Sequence, residues 1–169
     1  MSGEGFALYN KALEAAMNQQ IKEEFASAYV YLSMAAYCEA QNYPGFAHWL
    51  GMQAQEEAGH AIRFYAFVND RGGRVTLQAI PQPPSEFESI EKLFEEVLKH
   101  EQSITGMIHS LYGLAMQEKD WASVPFLQSF VAEQIEEEKS ATNVLAMVRM
   151  AAGNPQSLLL LDRELAKRE

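Results

Sequence analysis

A spacing of three and four residues between apolar side chains dominates this chain and restricts it to a helical fold. The pattern runs through four long segments, at about 6–41, 46–70, 85–118 and 120–153, and resumes in a short one at about 155–167. We therefore predict an all-α protein with four long helices and a short C-terminal fifth helix.

Turn-forming residues separate the segments. Residues 42–45, with the sequence NYPG, end a first helix that is predicted to start near Phe6, because proline fixes φ and lacks an amide donor. The two glycines at 72–73 are suitable C-terminal caps for the second helix. Residues 153–155, Gly-Asn-Pro, end the fourth.

A proline-rich link joins the second and third helices. Residues 74–84, RVTLQAIPQPP, have no helical period, and the link is long for a tight helical hairpin. Ser85 and Glu88 are predicted to form a capping box that opens the third helix, and Asp120 is predicted to cap the fourth. A link of this length lets the second and third helices run parallel while both hairpins stay antiparallel. We therefore predict a four-helix bundle with one long crossover, as a single domain over residues 1–169.

The composition narrows the classes of function. The 169 residues can bury a core without disulfides, and the single cysteine, Cys38, is interpreted as a buried apolar thiol. A formal net charge of −10 provides no basic surface for nucleic acid and would attract cations. No stretch approaches the roughly 20 apolar residues of a membrane-spanning helix, and no basic N-terminal segment leads into an apolar run. We predict a soluble cytoplasmic protein with no nucleic-acid or membrane partner.

Each long helix carries one glutamate on its apolar stripe, where a bundle helix would place leucine or valine. These inward positions are Glu24, Glu57, Glu101 and Glu137. Other polar residues share the stripes: Gln20 and Gln53, His60, one turn after Glu57, and Gln134, one turn before Glu137. Each glutamate lies well inside its helix, so all four are expected to meet at mid-height in a packed bundle.

Four carboxylates in one apolar cavity cannot all stay ionised unaided, because desolvation and mutual repulsion raise their pKa values. Two divalent cations would supply about four positive charges to balance them. His60 and Gln134 are predicted either to bind the ions as neutral ligands or to hydrogen-bond the ligands. Glu57 and His60 share a helix face and can hold one ion together. Carboxylate with imidazole suits iron or manganese better than a closed zinc site, and we favour iron for its availability and chemistry.

Two further features accompany this predicted metal site. Tyr31 lies two turns from Glu24 on the same face, where it would hydrogen-bond a ligand or supply an electron to oxygen chemistry; ordinary core packing is the alternative. A second group of carboxylates flanks the first, and we interpret it as a third ion site or an entry path, with a solvated face as the alternative. Its members are Glu56, Glu133, Glu136 and Glu137.

Four motifs make the chain similar to the bacterial non-haem ferritins over nearly its whole length. They are EEFASAYVY with Glu24 and Tyr31, AQEEAGHA with Glu57 and His60, KHEQSIT with Glu101, and FVAEQIEEEK with Gln134 and Glu137. Each motif alone is weak evidence, but the four in this order and with these separations are highly specific.

The resemblance implies a ferritin-like bundle with a dinuclear ferroxidase centre. The ligands implied for the first iron are Glu24, Glu57 and His60. Those implied for the second are Glu57, which bridges, with Glu101 and Glu137, assisted by Gln134. A third iron site is implied at Glu56, Glu133, Glu136 and Glu137.

The resemblance also implies an assembly and a reaction. Ferrous iron would be oxidised by dioxygen or peroxide at the dinuclear centre and stored as ferric mineral inside a hollow homo-oligomer of 24 subunits. Residues 158–161 are four consecutive leucines in the short fifth helix, and they fit such an assembly. One subunit can scarcely cover all four, so we expect them to be buried in a contact between subunits.

Two departures separate the chain from other ferritin-like classes. Bacterioferritins and rubrerythrins repeat Glu-x-x-His on the fourth helix, whereas here Ser140 follows Glu137 at that spacing. A rubredoxin module needs paired cysteines, which are absent. Met52 lies near the position of the haem-binding methionine of bacterioferritins, but the chain has eight methionines and we expect no haem.

The leading hypothesis is therefore an iron-storage protein with ferroxidase activity. A metal buffer that kept the carboxylates without redox turnover is the alternative from another class. A helical signalling bundle would need a secreted chain with uninterrupted apolar stripes, and the sequence shows neither.

Overall fold

The computed structural model describes residues 10–169, and these residues form five α-helices and no strand. The bounds are α1 Lys11–Ala40, α2 Pro44–Asp70, α3 Ile90–Gln117, α4 Ser123–Ala151 and α5 Pro155–Leu165. α1 packs against α2, α3 packs against α4, and α5 packs on both α2 and α4. The predicted all-α fold with a short fifth helix is confirmed. Within the described region no helix is long and apolar enough to cross a membrane.

The core consists of two apolar clusters with a polar layer between them. Representative residues of the first cluster are Leu13, Phe64, Ile108 and Phe130. Representative residues of the second are Met34, Phe46, Phe94 and Val144. α1 and α4 pass from the first cluster to the second, and α2 and α3 pass in the opposite direction. Both hairpins are therefore antiparallel and α2 runs parallel to α3, as the long crossover predicts. In each of the four long helices the inward glutamate lies between the two clusters.

Two helix starts differ from the predicted ones. α1 begins at Lys11, where the Asn10 side chain accepts hydrogen bonds from two amides of the first turn; the predicted start near Phe6 lies outside the described residues. α3 is capped by Ser89, whose Oγ accepts from the Lys92 amide at 3.1 Å. The predicted capping box of Ser85 and Glu88 is therefore wrong. Both of its residues lie in the non-helical crossover, and a serine closer to the apolar stripe is the cap.

The predicted end of α2 is confirmed, whereas the cap residue of α4 is not the predicted Asp120. Gly72 follows α2 with φ of 71°, the left-handed conformation that favours glycine. α4 has Ala122 as its cap residue, which makes no side-chain bond, but Asp120 Oδ1 accepts from the Ser123 amide at 3.1 Å. The same Asp120 oxygen accepts from Arg71 at 2.8 Å, which ties the start of α4 to the end of α2.

The crossover is fastened to α1 by one buried amide side chain. Asn18 donates from Nδ2 to the carbonyl of Arg74 at 2.9 Å and accepts at Oδ1 from the amide of Thr76 at 2.7 Å. These bonds satisfy backbone groups of a segment that has no secondary structure of its own.

The fifth helix covers the second cluster but leaves part of its apolar surface open. Leu161 is buried and Leu158 packs against the second cluster, whereas Leu159 and Leu160 are 46% and 65% exposed. Two of the four leucines in the predicted apolar run are thus covered by contacts within the subunit, and the other two are exposed. Cys38, in the same cluster, is fully buried, and burial raises the pKa of its thiol to about 12.

α5 docks backbone against backbone on the start of α2. Asp162 is buried and its Oδ1 accepts from the Phe46 amide at 2.9 Å, so a residue of α5 satisfies a free amide at the N-terminus of α2. Gly45 makes this approach possible, because a Cβ there would overlap the carbonyl group of Asp162.

We expect Gly45→Ala to displace α5 and to lower the free energy of unfolding by roughly 1–3 kcal/mol, the usual cost of overpacking. Urea denaturation measures the change. The matched control is Gly51→Ala on the same helix, where a Cβ meets open space and the better helix propensity of alanine should stabilise the protein by up to about 1 kcal/mol. Equal stabilities for the two variants would contradict the tight docking.

Candidate metal centre

Glu24 of α1 and Glu57 and His60 of α2 form a compact, buried group of potential metal ligands. One ligand atom from each lies within 4.8 Å of the others. His60 Nδ1 is 3.5 Å from Glu57 Oε2 and 3.9 Å from Glu24 Oε2. Within residues 10–169 no other set of three or more histidine, cysteine, aspartate or glutamate side chains is as close.

Several oxygens of this group lack a hydrogen-bond donor. Glu24 Oε2 and both oxygens of Glu57 are buried without a partner, whereas Glu24 Oε1 accepts from Gln20 Nε2 at 2.7 Å. A buried acceptor without a donor costs about 1–3 kcal/mol. A cation among these oxygens would remove that cost, and the addition of one imidazole nitrogen makes a donor set suited to iron or manganese.

Glu101 of α3 and Gln134 of α4 form the opposite side of the polar layer. Gln134 Nε2 donates to Glu101 Oε2 at 3.3 Å and to Thr105 Oγ1 at 3.2 Å. The hydroxyl of Tyr31 donates to Glu101 Oε1. Both oxygens of Glu101 therefore have donors, and Tyr31 contacts this glutamate across the bundle.

Glu137 enters the layer from α4 and is only half-buried. Its Oε2 accepts from Gln53 Nε2 at 3.0 Å, while Gln53 Oε1 is buried without a partner. Three of the four inward carboxylates, those of Glu24, Glu101 and Glu137, thus accept a hydrogen bond from a neutral amide or hydroxyl group. Glu57 is the exception, which leaves both of its oxygens available to two ions at once.

Burial raises the pKa of all four inward carboxyl groups. The pKa of Glu57 rises to about 8 and that of Glu101 to about 7, mainly through loss of water around the charged form and then through repulsion from neighbouring carboxylates. Burial followed by repulsion from Glu57 raises the pKa of Glu24 well above its usual range. Burial also raises the pKa of Glu137. Without metal the layer holds protons near neutral pH, and an incoming cation would displace them.

The outer face of His60 meets Glu133, one of the carboxylates predicted for a third ion. His60 Nε2 lies 3.2 Å from Glu133 Oε2. Arg63 donates from Nη1 to both oxygens of Glu133, at 2.9 and 2.7 Å, and from Nη2 to Ser129 Oγ at 2.8 Å. Glu133 is therefore already paired with a cation of the chain.

The remaining carboxylates of the predicted third site are also dispersed. Glu56 is exposed and accepts from Arg168 Nη2 at 2.7 Å, and the same arginine packs over the Trp49 ring. Glu136 is exposed, with Lys139 Nζ at 3.9 Å. The described residues do not bring the four predicted ligands into one group, and the third ion site stays a prediction.

The sequence assigned no role to three side chains that organise the polar layer or its surroundings. Gln20 and Gln53 occupy inward stripe positions one turn before Glu24 and Glu57. A polar residue on the apolar stripe, four residues before a glutamate, is the sequence pattern that could have predicted their contact with the polar layer. Arg63 gave no signal, because its partner Glu133 belongs to another helix.

Comparison with known proteins agrees with this geometry. The family described as a ferritin-like domain matches residues 14–151. This chain belongs to the ferritin family. Among curated relatives, the bacterial non-heme ferritin of Staphylococcus saprophyticus is 38% identical over 161 residues, which cover 95% of this chain and 96% of that one. The predicted resemblance to bacterial non-haem ferritins is confirmed.

Solved structures of family members agree equally well. An open pore ferritin of the hyperthermophilic archaeon Archaeoglobus fulgidus is 45% identical, with a TM-score of 0.95, covering 97% of this chain and all of that one. A closed form of the same ferritin, engineered by site-directed mutagenesis, gives a TM-score of 0.94 at 45% identity, covering 95% and 98% of the two chains. This ferritin family member therefore aligns with these relatives over nearly the whole length of both chains.

Proposed function

We propose that this protein stores iron and oxidises Fe(II) at a dinuclear centre in the polar layer. The observation that carries the proposal is the set of unpartnered, buried oxygens of Glu24 and Glu57 beside His60, enclosed between two apolar clusters. Membership of the ferritin family and the names of the bacterial relatives support it.

Iron is the substrate of this site, and each ion would have its own ligands. The first ion would be held by Glu24, Glu57 and His60. The second would be held by Glu57, Glu101 and Glu137, with Gln134 close to Glu101. Glu57 would bridge, because neither of its oxygens is engaged by a neutral donor.

The reaction balances as an exchange of two electrons. Two ferrous ions each lose one electron, and dioxygen takes up both electrons and two protons to give hydrogen peroxide. With peroxide as the oxidant, two electrons and two protons give two molecules of water. Tyr31 donates a hydrogen bond to Glu101, so it would orient that ligand and is a candidate electron donor.

The ferric product would be stored as mineral inside a shell of 24 identical subunits in the cytoplasm. The exposed Leu159 and Leu160 of α5 supply apolar surface for contacts between subunits. No haem and no nucleic-acid or membrane partner is expected. A third iron site at Glu56, Glu133, Glu136 and Glu137 stays a separate prediction, which would require Glu56 and Glu133 to leave Arg168 and Arg63.

Stopped-flow absorbance on the metal-free protein tests the proposal directly. Two ferrous ions per subunit are added in air, and the expected result is a fast phase of ferric absorbance that saturates at that ratio. A signal no faster than autoxidation of free iron would contradict ferroxidase activity and favour a metal buffer.

We expect Glu137→Ala to slow this fast phase at least about 10- to 100-fold, because loss of a direct ligand should cost no less than loss of an outer hydrogen-bond partner. Glu138→Ala on the same helix is the control and should retain the parent rate. Size-exclusion chromatography checks that both variants keep the parent assembly. Oxidation by Glu137→Ala at the parent rate would exclude Glu137 as a ligand.

A further inference from the structure

His60 can bind a metal ion through Nδ1 only if its proton is on Nε2. Nδ1 faces Glu24 and Glu57, at 3.9 and 3.5 Å, so this nitrogen must present a lone pair to an ion held there. Nε2 points the other way and lies 3.2 Å from Glu133 Oε2. An acceptor at this position stabilises the tautomer that metal binding requires.

Arg63 holds Glu133 at this position. Its guanidinium contacts both oxygens of Glu133, donates to Ser129 and lies 4.0 Å from the centre of the Phe130 ring. The His60 ring packs edge-on against the same Phe130 ring, at 5.4 Å between centroids. Arg63, Glu133 and His60 thus form one connected array across α2 and α4.

We propose that Glu133 is a positioning residue for His60: its carboxylate beside Nε2 favours the tautomer that keeps the proton on Nε2 and so leaves the Nδ1 lone pair for the first ion, with Arg63 as the anchor of Glu133. This inference rests on the proposed role of Glu24, Glu57 and His60 as ligands of that ion. It gives Glu133 a different task from that of a third-ion ligand. If Glu133 turned toward a third ion, it would lose His60 and leave the Arg63 guanidinium without its carboxylate.

Two substitutions of Glu133 distinguish its role as a hydrogen-bond acceptor beside His60 from a role as a charged ligand of a third ion. In Glu133→Gln the amide oxygen can take the place of Oε2, the one atom that contacts both His60 and Arg63. This variant keeps the acceptor and loses the charge. In Glu133→Leu both are lost, and Glu133→Ala serves as a second truncation if the leucine variant does not fold.

The measurement is an anaerobic titration of the metal-free, assembled protein with Co(II), followed by its visible absorption bands. Cobalt takes similar ligands to ferrous iron, and its bands report loss of a nitrogen ligand. His60→Ala supplies the spectrum of a site without imidazole. Glu138→Gln, a charge loss at a half-buried position of the same helix, is the matched control and should equal the parent.

The expected result is that Glu133→Leu binds the first cobalt ion about 10- to 100-fold more weakly than the parent, with bands shifted toward those of His60→Ala. Glu133→Gln should stay within about threefold of the parent. Parent-like affinity in both variants, with loss of a third equivalent, would overturn the proposal in favour of a third-ion ligand. Equal weakening in both would overturn it in favour of a purely electrostatic effect. If the parent itself binds no cobalt, the proposed metal site fails before the variants are compared.

Discussion

Glu57→Gln is expected to abolish the fast phase of ferrous iron oxidation and, at the same time, to stabilise the metal-free protein above pH 7. The rate should fall at least about 100-fold, because Glu57 is the carboxylate proposed to bridge both ions. Stability should rise because glutamine keeps the volume of Glu57 and removes a charge that burial and Glu101 disfavour. The new amide can also donate to Glu24 Oε2, which has no partner in the parent.

The two effects have opposite signs, and this distinguishes a ligand from a structural residue. A residue needed for packing would lose activity and stability together. Stopped-flow oxidation and urea denaturation at pH 8 measure the two quantities, and Glu96→Gln, an exposed charge loss on α3, is the control for both. A Glu57→Gln variant that is less stable than the parent at pH 8 would contradict the unfavourable burial of this charge.

The metal-free protein is expected to lose stability as pH rises from 6.5 to 8. Glu57 and Glu101 have folded-state pKa values of about 8 and about 7, above their usual value of 4.5. Near neutral pH the folded state therefore binds more protons than the unfolded state. The stability that these protonated groups contribute is fully present below about pH 4.5 and is lost as pH rises through 7 and 8. The slope approaches roughly 1.4 kcal/mol per pH unit for each proton taken up on folding.

The pH window is chosen because His100 has the opposite effect below it. Burial lowers the pKa of His100 from 6.5, so its contribution to stability is lost as pH falls. Urea midpoints at pH 6.5 and 8 measure the expected decrease, and Glu57→Gln should show a shallower one. Excess divalent metal should flatten or reverse the slope, because metal binding to the carboxylates releases protons and is favoured at higher pH. A metal-free protein whose stability rises across this window would contradict the pKa assignments.

The inward glutamates could be found from sequence because helical periodicity is local. A charged residue at a stripe position is visible without knowledge of its neighbours, and Glu24, Glu57 and Glu101 are indeed buried. Glu137 obeys the same period but is half-buried, since exposure depends on how closely the adjacent helix covers it. The capping box at Ser85 and Glu88 failed because Ser89 is an equally good cap directly before the helix.

The sequence by itself determined the helical segments, the crossover and the one acidic position on each stripe, because these follow from the 3.6-residue period and from turn residues that act on their own neighbours. Only the tertiary structure decided which carboxylates remain unpartnered and which are paired. Glu24 and Glu57 have buried oxygens without donors, whereas Glu56 and Glu133 meet Arg168 and Arg63 from distant parts of the chain. The physical reason is that the electrostatic environment of a side chain depends on residues that folding brings within a few ångströms, and their separation along the sequence carries no record of that distance.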